Sequence, residues 1–263
     1  VTVADALRRA ERELALAGVD TPRVDAELLL AHVLGVSRSG VYAQADAEVP
    51  GTYQVLLGRR LKREPLAYVL GEWGFRRLVL KTDARALVPR PETEIVVERC
   101  LERLRGERDP RVLDVGTGTG AIALAIADEH PGARVTAVDS SRGAVELARE
   151  NAERLELDVD VREGDFDVAA DGWDLVVSNP PYVAPEEWDL LQPEIREWEP
   201  RAALVGVGLH EQIARSARTR RLVLEVGWCQ ADDVAATLAS FGYTDIRITP
   251  DLAGIARVVE GSR

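Results

Sequence analysis

From Arg111 onward, short apolar runs alternate with helical patterns, and this alternation most constrains the fold. "RVLDV", "RVTAVD", "VDVREGD", "WDLVVS" and "RLVLEVG" read as strands. "GAIALAIADEH", "RGAVELARENAERL" and "ADDVAATLASFG" read as helices. Strands separated by helices build an α/β fold with a parallel sheet and helices on both faces. The first 70 or so residues have a different character. Thr21-Pro22 before "RVDAELLLAHVLG" is a cap followed by a proline in the first helical turn, and Gly35 closes the helix. "PGTYQVLLGRRLKRE" predicts another helix. "FRRLVLKTDARALVPRPETE" predicts two short strands around Thr82-Asp83 and then a proline-flanked loop. A helical region over 1–72, a hairpin linker over 73–90 and a larger domain over 91–263 are therefore expected.

Composition excludes some classes of function. The chain has 263 residues, 46% hydrophobic and 30% charged, as soluble globular proteins do, and no apolar run approaches a membrane span. The charged, amphipathic N-terminal stretch predicts a cytoplasmic protein. A net charge of −12 disfavours a phosphate backbone as direct partner. Cys100 and Cys229 lack metal-site spacing and read as reduced thiols, and His32, His130 and His210 form no ligand pattern, so no metal is expected.

Three strand ends carry acids. Asp114 closes toward Gly116-Thr117-Gly118-Thr119-Gly120, Asp139 ends the second strand, and Asp165 with Phe166 ends the third. Open α/β sheets bind ligands at such carboxyl ends. The glycines allow close backbone approach, and the following helix offers free N–H groups. The loop alone fits either NAD or S-adenosylmethionine, with Asp139 on a ribose in both cases. Acids beside a pyrophosphate are unfavourable, whereas acids beside a sulfonium and an ammonium are favourable. The three together favour S-adenosylmethionine, with Asp165 and Phe166 toward the adenine.

The fourth strand runs into Asn179-Pro180-Pro181-Tyr182. Two prolines fix φ and remove two N–H donors. Asn179 Oδ1 and the Pro180 carbonyl can then act as two acceptors for a planar –NH2 group, with the Tyr182 ring packed against the target or favouring a cationic methyl donor. Positioning of this kind lowers a methyl-transfer barrier without a covalent intermediate.

These motifs resemble the HemK/PrmC-type release factor glutamine methyltransferases over nearly the whole chain. The stretches that carry the resemblance are "PRVDAELLLAHVLG", "REPLAYVLGEWGF", "LVPRPETEIVVE", "VLDVGTGTGAIALAIA", "NPPYV", "EPRAALVG", "LVLEVGWCQ" and "DLAGIARVV". The resemblance implies a seven-stranded, Rossmann-like class I methyltransferase domain, a small N-terminal helical bundle that helps bind the substrate, and a β-hairpin linker. It implies S-adenosyl-L-methionine as cofactor and S-adenosyl-L-homocysteine as product. The implied substrate is the glutamine N5 of the Gly-Gly-Gln motif in class I peptide chain release factors, taken by a monomer. Carried over by motif, Gly116 to Gly120 and Asp139 bind cofactor with Phe166 on the adenine, and Asn179, Pro180, Pro181 and Tyr182 form the glutamine site. Arg90 and Glu92 lie in the "PRPETE" loop near that site, without an assigned chemical role. After Gly206 the chain is shorter than the family pattern. The alternatives left open are an adenine N6-methyltransferase acting on DNA or RNA, and a cofactor-binding interaction module.

Overall fold

In the computed structural model, which describes residues 1–263, the cap signals of the N-terminal region become five helices. They are α1 (Val3–Leu16), α2 (Pro22–Leu34), α3 (Gly40–Ala43), α4 (Thr52–Leu61) and α5 (Leu66–Leu70). Pro22 sits in the first turn of α2, and Gly35 ends it at φ 64°, in the left-handed region. The helices bury Leu7, Leu14, Leu29, Leu30, Tyr53 and Leu57 in a core of their own. The compact unit they form spans Val1–Glu72 and also takes in Gln192–Trp198, a segment that lies within 91–263 in sequence. An ion cluster inside this unit gives the reason. Arg60 lies 2.6 Å from Asp25 and 2.9 Å from Glu194, and Glu194 is also 2.5 Å from Arg63. Charges this buried persist only when paired.

The second unit spans Trp73–Leu191 and Glu199–Arg263. Strands β1 (Glu72–Phe75) and β2 (Leu78–Lys81) form a hairpin. Its turn is Arg76-Arg77, which corrects the expectation of strands around Thr82-Asp83. Arg76 adopts φ 52°. Its N–H donates to Glu94 Oε1 at 3.0 Å and its guanidinium pairs with Glu129. Partners this distant in sequence override local turn propensity. The chain continues through α6 (Thr93–Arg103), β3 (Arg111–Val115), α7 (Ala121–Glu129), β4 (Arg134–Asp139), α8 (Arg142–Leu155), β5 (Val159–Glu163) and β6 (Leu175–Ser178). It ends with α9 (Pro193–Trp198), α10 (Leu209–Ser216), β7 (Arg221–Glu225), α11 (Ala231–Ser240), β8 (Thr244–Pro250) and β9 (Ala256–Ser262).

Seven strands make one sheet in the order β5-β4-β3-β6-β7-β9-β8. The first five are parallel, and β9 runs antiparallel to β7 and to β8. The inner strands are buried on both faces, which is why they read as continuous apolar runs. Register then does the positioning. Val115 pairs with Val138 and with Ser178, and Ser178 pairs with Leu224. The next residue of each strand is therefore Gly116, Asp139, Asn179 and Glu225. One row at the carboxyl edge holds all four, around the point where β3 leads to β4 on one side and β6 on the other, the usual ligand crevice of such sheets.

Candidate active site

A cavity of about 190 Å³ opens at this edge. Gly116, Thr117, Gly118, Thr119, Asp139 and Asn179 are on its wall. The strap from Arg85 to Arg90, Thr93, Pro181 and the segment around Pro200–Ala203 complete it. The Gly-rich loop after β3 is held from two sides. Gly118 N–H donates to Asp139 Oδ2 at 2.9 Å, and Ser141 N–H donates to Asp139 Oδ1 at 2.8 Å. Each oxygen keeps a lone pair for a hydroxyl group. Burial pushes the Asp139 carboxyl above its ordinary range.

Asp114 lies beneath the loop and not on the cavity wall. It is fully buried, and its Oδ2 accepts from Thr117 Oγ1 at 2.6 Å and Ala123 N–H at 3.3 Å. Burial pushes it up to about 7, and its Oδ1 has no partner. Gly116 and Gly118 take φ 72° and 57°, and a side chain added there would meet nothing closer than 3.9 Å, so the backbone stands open to a ligand. Gly120 answers a different need. A Cβ there would lie 2.9 Å from Leu124 Cδ1 and 3.3 Å from Ala148 Cβ, so this glycine allows α7 to pack against α8.

Asp165 and Phe166 are outside the cavity wall. Asp165 is exposed, and its Oδ1 accepts from Phe166 N–H, capping the turn Phe166–Asp171. Phe166 is half-buried and packs against one of the two apolar cores of the sheet.

The Asn-Pro-Pro-Tyr segment is braced along its length. Asn179 Nδ2 donates to Thr93 Oγ1 at 3.2 Å. Pro180 is buried, and Pro181 reaches the cavity. Val183 N–H donates to Leu204 O at 2.9 Å, and Gly206 N–H donates to Val183 O at 3.2 Å. A Cβ on Gly206 would stand 2.8 Å from the Pro181 carbonyl oxygen, so the absence of a side chain at Gly206 lets the chain lie against the diproline. The Tyr182 carbonyl accepts from Gln230 Nε2 at 3.0 Å, its ring closes on Gly227, and its hydroxyl lies 3.4 Å from Glu225 Oε1. Burial and the nearby Glu225 push Tyr182 up to about 12, so it stays neutral. Its ring backs the segment and is not on the cavity wall.

Arg90 lines the cavity and donates to Glu199 Oε1 at 2.6 Å, tying the strap to the segment that begins at Pro200. Burial pushes Glu199 upward despite Arg90. Glu92 is the residue before α6 and is off the wall. Sequence reasoning missed Thr93, Glu199 and Glu225. The signal for Glu225 was present, because an acid in the apolar run "LVLEVG" needs a partner when buried. Both thiols are free, Cys100 buried and Cys229 exposed, and no cluster of His, Cys, Asp and Glu could hold a metal ion.

The residues present fit S-adenosylmethionine. The open glycine backbone suits close approach, and Asp139 retains acceptor capacity for ribose hydroxyls. A pyrophosphate would meet Asp139, while the two arginines on the wall are already paired, Arg85 with Asp83 and Glu150 and Arg90 with Glu199.

Two family models match the chain: the PrmC N-terminal domain over residues 5–71 and the methyltransferase small domain over residues 93–195. A protein of Bordetella pertussis described as release factor glutamine methyltransferase is 40% identical, over 94% of this chain and 97% of its own. A Deinococcus radiodurans protein of the same description is 40% identical over 98% of both. Among solved structures, a methyltransferase from Pyrococcus furiosus superposes with a TM-score of 0.53 at 18% identity, covering 78% of this chain and 96% of its own. A 16S rRNA N2 G1207 methyltransferase from T. thermophilus, solved with AdoMet and guanosine, has a TM-score of 0.54 at 19% identity, covering 73% and 49%. At such identities these two show the fold alone.

Proposed function

Because the chain belongs to the release factor glutamine methyltransferase family, we propose that it methylates the side-chain amide nitrogen of the glutamine in the Gly-Gly-Gln motif of class I peptide chain release factors, in the cytoplasm. It is an S-adenosylmethionine-dependent enzyme. The observation that carries the substrate reading is the position of Asn179: its amide shares one cavity with the Gly-rich loop and Asp139, and its Nδ2 is turned onto Thr93.

When bound, S-adenosylmethionine supplies an electrophilic methyl group. Gly116 to Thr119 and Asp139 would hold it, with Asp114 supporting the loop from below. Asn179 Oδ1 and the Pro180 carbonyl accept the two N–H groups of the glutamine amide. Those acceptors fix the nitrogen and favour positive charge as it develops there. As the new C–N bond forms the S–CH3 bond would break, leaving S-adenosylhomocysteine, and the amide proton, acidic only then, would pass to solvent, so no base need remove it beforehand. The fixed ring torsions of Pro180 and Pro181, with the Val183–Leu204 and Gly206–Val183 backbone bonds behind them, keep the acceptors from drifting.

The test is mass spectrometry of a release factor incubated with the protein and S-adenosylmethionine. One methyl increment mapped to the Gly-Gly-Gln glutamine supports the proposal. A methyl group elsewhere on the factor contradicts it.

A further inference from the structure

We propose that Thr93 and Glu225 form a one-way hydrogen-bond relay that decides which end of the Asn179 amide faces the substrate, which makes both of them positioning residues for methyl transfer. This rests on the function proposed above and adds to its site two residues that the motif does not contain. Thr93 is the first residue of α6 and Glu225 the last of β7, and both are buried. Thr93 Oγ1 lies 2.7 Å from Glu225 Oε2, and Asn179 Nδ2 lies 3.2 Å from Thr93 Oγ1.

An ionised carboxylate can only accept, so the Thr93 hydroxyl proton is committed to Glu225. The Thr93 oxygen then offers only lone pairs to Asn179. Asn179 must answer with Nδ2, which leaves Oδ1 for the cavity. The reversed amide would set two acceptors against each other in a buried place, an arrangement that costs free energy. An acceptor facing the cavity suits a substrate N–H, whereas a donor there would oppose it. The second carboxylate oxygen, Oε1, takes the Tyr182 hydroxyl at 3.4 Å. One carboxylate thus braces both ends of Asn-Pro-Pro-Tyr.

The relay has a direction only while Glu225 is ionised. Four groups face it from the surrounding elements. Glu92, before α6, disfavours its charge, and Arg257 of β9 favours it. Tyr182 is its hydrogen-bond partner, and the His210 Nε2 of α10 lies 2.8 Å from its backbone carbonyl oxygen. Burial dominates and pushes the carboxyl up to about 7. A protonated Glu225 can donate to Thr93, which frees the Thr93 proton for Asn179 Oδ1 and removes the preference.

The chain has two asparagines, Asn151 and Asn179, so isotope-labelled asparagine yields two side-chain amide resonance pairs. The Asn151 Nδ2 is held by the carbonyls of Lys81 and Thr119 and serves as internal reference. Thr93→Val should move the Asn179 pair and leave the Asn151 pair. Lowering the pH through about 7 should move the Asn179 pair in the wild type and not in Glu225→Gln. In turnover, Thr93→Val should lower kcat at least ~10-fold, as expected for a mispositioned reacting group. S-adenosylhomocysteine affinity should change far less, since Gly116 to Thr119 and Asp139, which hold the cofactor in this reading, are untouched. Thr93→Ser, which keeps the hydroxyl, should recover most of the rate. An Asn179 pair that ignores both Thr93→Val and pH overturns the relay, as does a Thr93→Ser enzyme no faster than Thr93→Val. The resonances are read without any acceptor, so they decide the relay even if the release factor proves to be the wrong substrate.

Discussion

Replacing Glu225 with glutamine should make the protein more stable at alkaline pH. Glu225 is 2% exposed, and burial raises its carboxyl from 4.5 to about 7. A raised carboxyl pKa means that the folded state holds the proton more tightly than the unfolded chain. The contribution of this group to stability is therefore fully present below pH ~4.5 and lost as the pH rises through about 7. At about 1.4 kcal/mol per pKa unit, the full loss is about 3 kcal/mol. Glutamine keeps an acceptor oxygen for Thr93 and carries no charge, so Glu225→Gln should escape most of that loss. Urea unfolding at pH 5 and at pH 8.5 measures it. The wild type should lose about 2–3 kcal/mol more than the variant between the two conditions. A difference between wild type and variant that is the same at both pH values would refute the assigned burial cost.

Asn179→Ala should lower methyl transfer at least ~100-fold, the size expected for losing one transition-state hydrogen-bonding group, with S-adenosylhomocysteine affinity nearly unchanged by calorimetry. Asp139→Ala should weaken cofactor binding by roughly 10-fold or more, since it removes a charged acceptor; unchanged affinity would mean that Asp139 only holds Gly118 and Ser141. Gly206→Ala should push the Pro181 carbonyl, 2.8 Å from the new Cβ, and lower kcat while leaving cofactor affinity intact. Glu194→Ala should leave Arg60 and Arg63 without their shared carboxylate and destabilise the helical unit by about 3 kcal/mol or more, read as earlier loss of helical signal in urea.

How much of this was legible in the sequence depended on the range of the contacts involved. The parallel strands were readable because strands buried on both faces must be apolar, and their order along the chain placed Gly116, Asp139 and Asn179 at one edge. The caps at Pro22 and Gly35 were readable because they act locally. The hairpin turn was misplaced because Arg76 is held by Glu94 and Glu129, 18 and 53 residues away. Gln192–Trp198 could not be assigned to the helical unit because its anchor, Glu194, meets Arg60 and Arg63 more than 130 residues earlier in the chain. Spacing alone put Asp165 and Phe166 at a strand end, as with Asp139. It could not show that Asp165 uses its carboxylate to cap its own turn or that Phe166 lies half-buried against the core. Thr93 escaped notice because "PETE" resembles any helix start, and only the fold brings its hydroxyl between Glu225 and Asn179.

The most direct test of the account is transfer of labelled methyl from S-adenosylmethionine to three acceptors: a bacterial class I release factor, the same factor with its Gly-Gly-Gln glutamine changed to alanine, and duplex DNA. The account predicts label on the first alone. Label on the alanine variant or on DNA would contradict it, because the acceptors of Asn179 and Pro180 would then serve a different nitrogen.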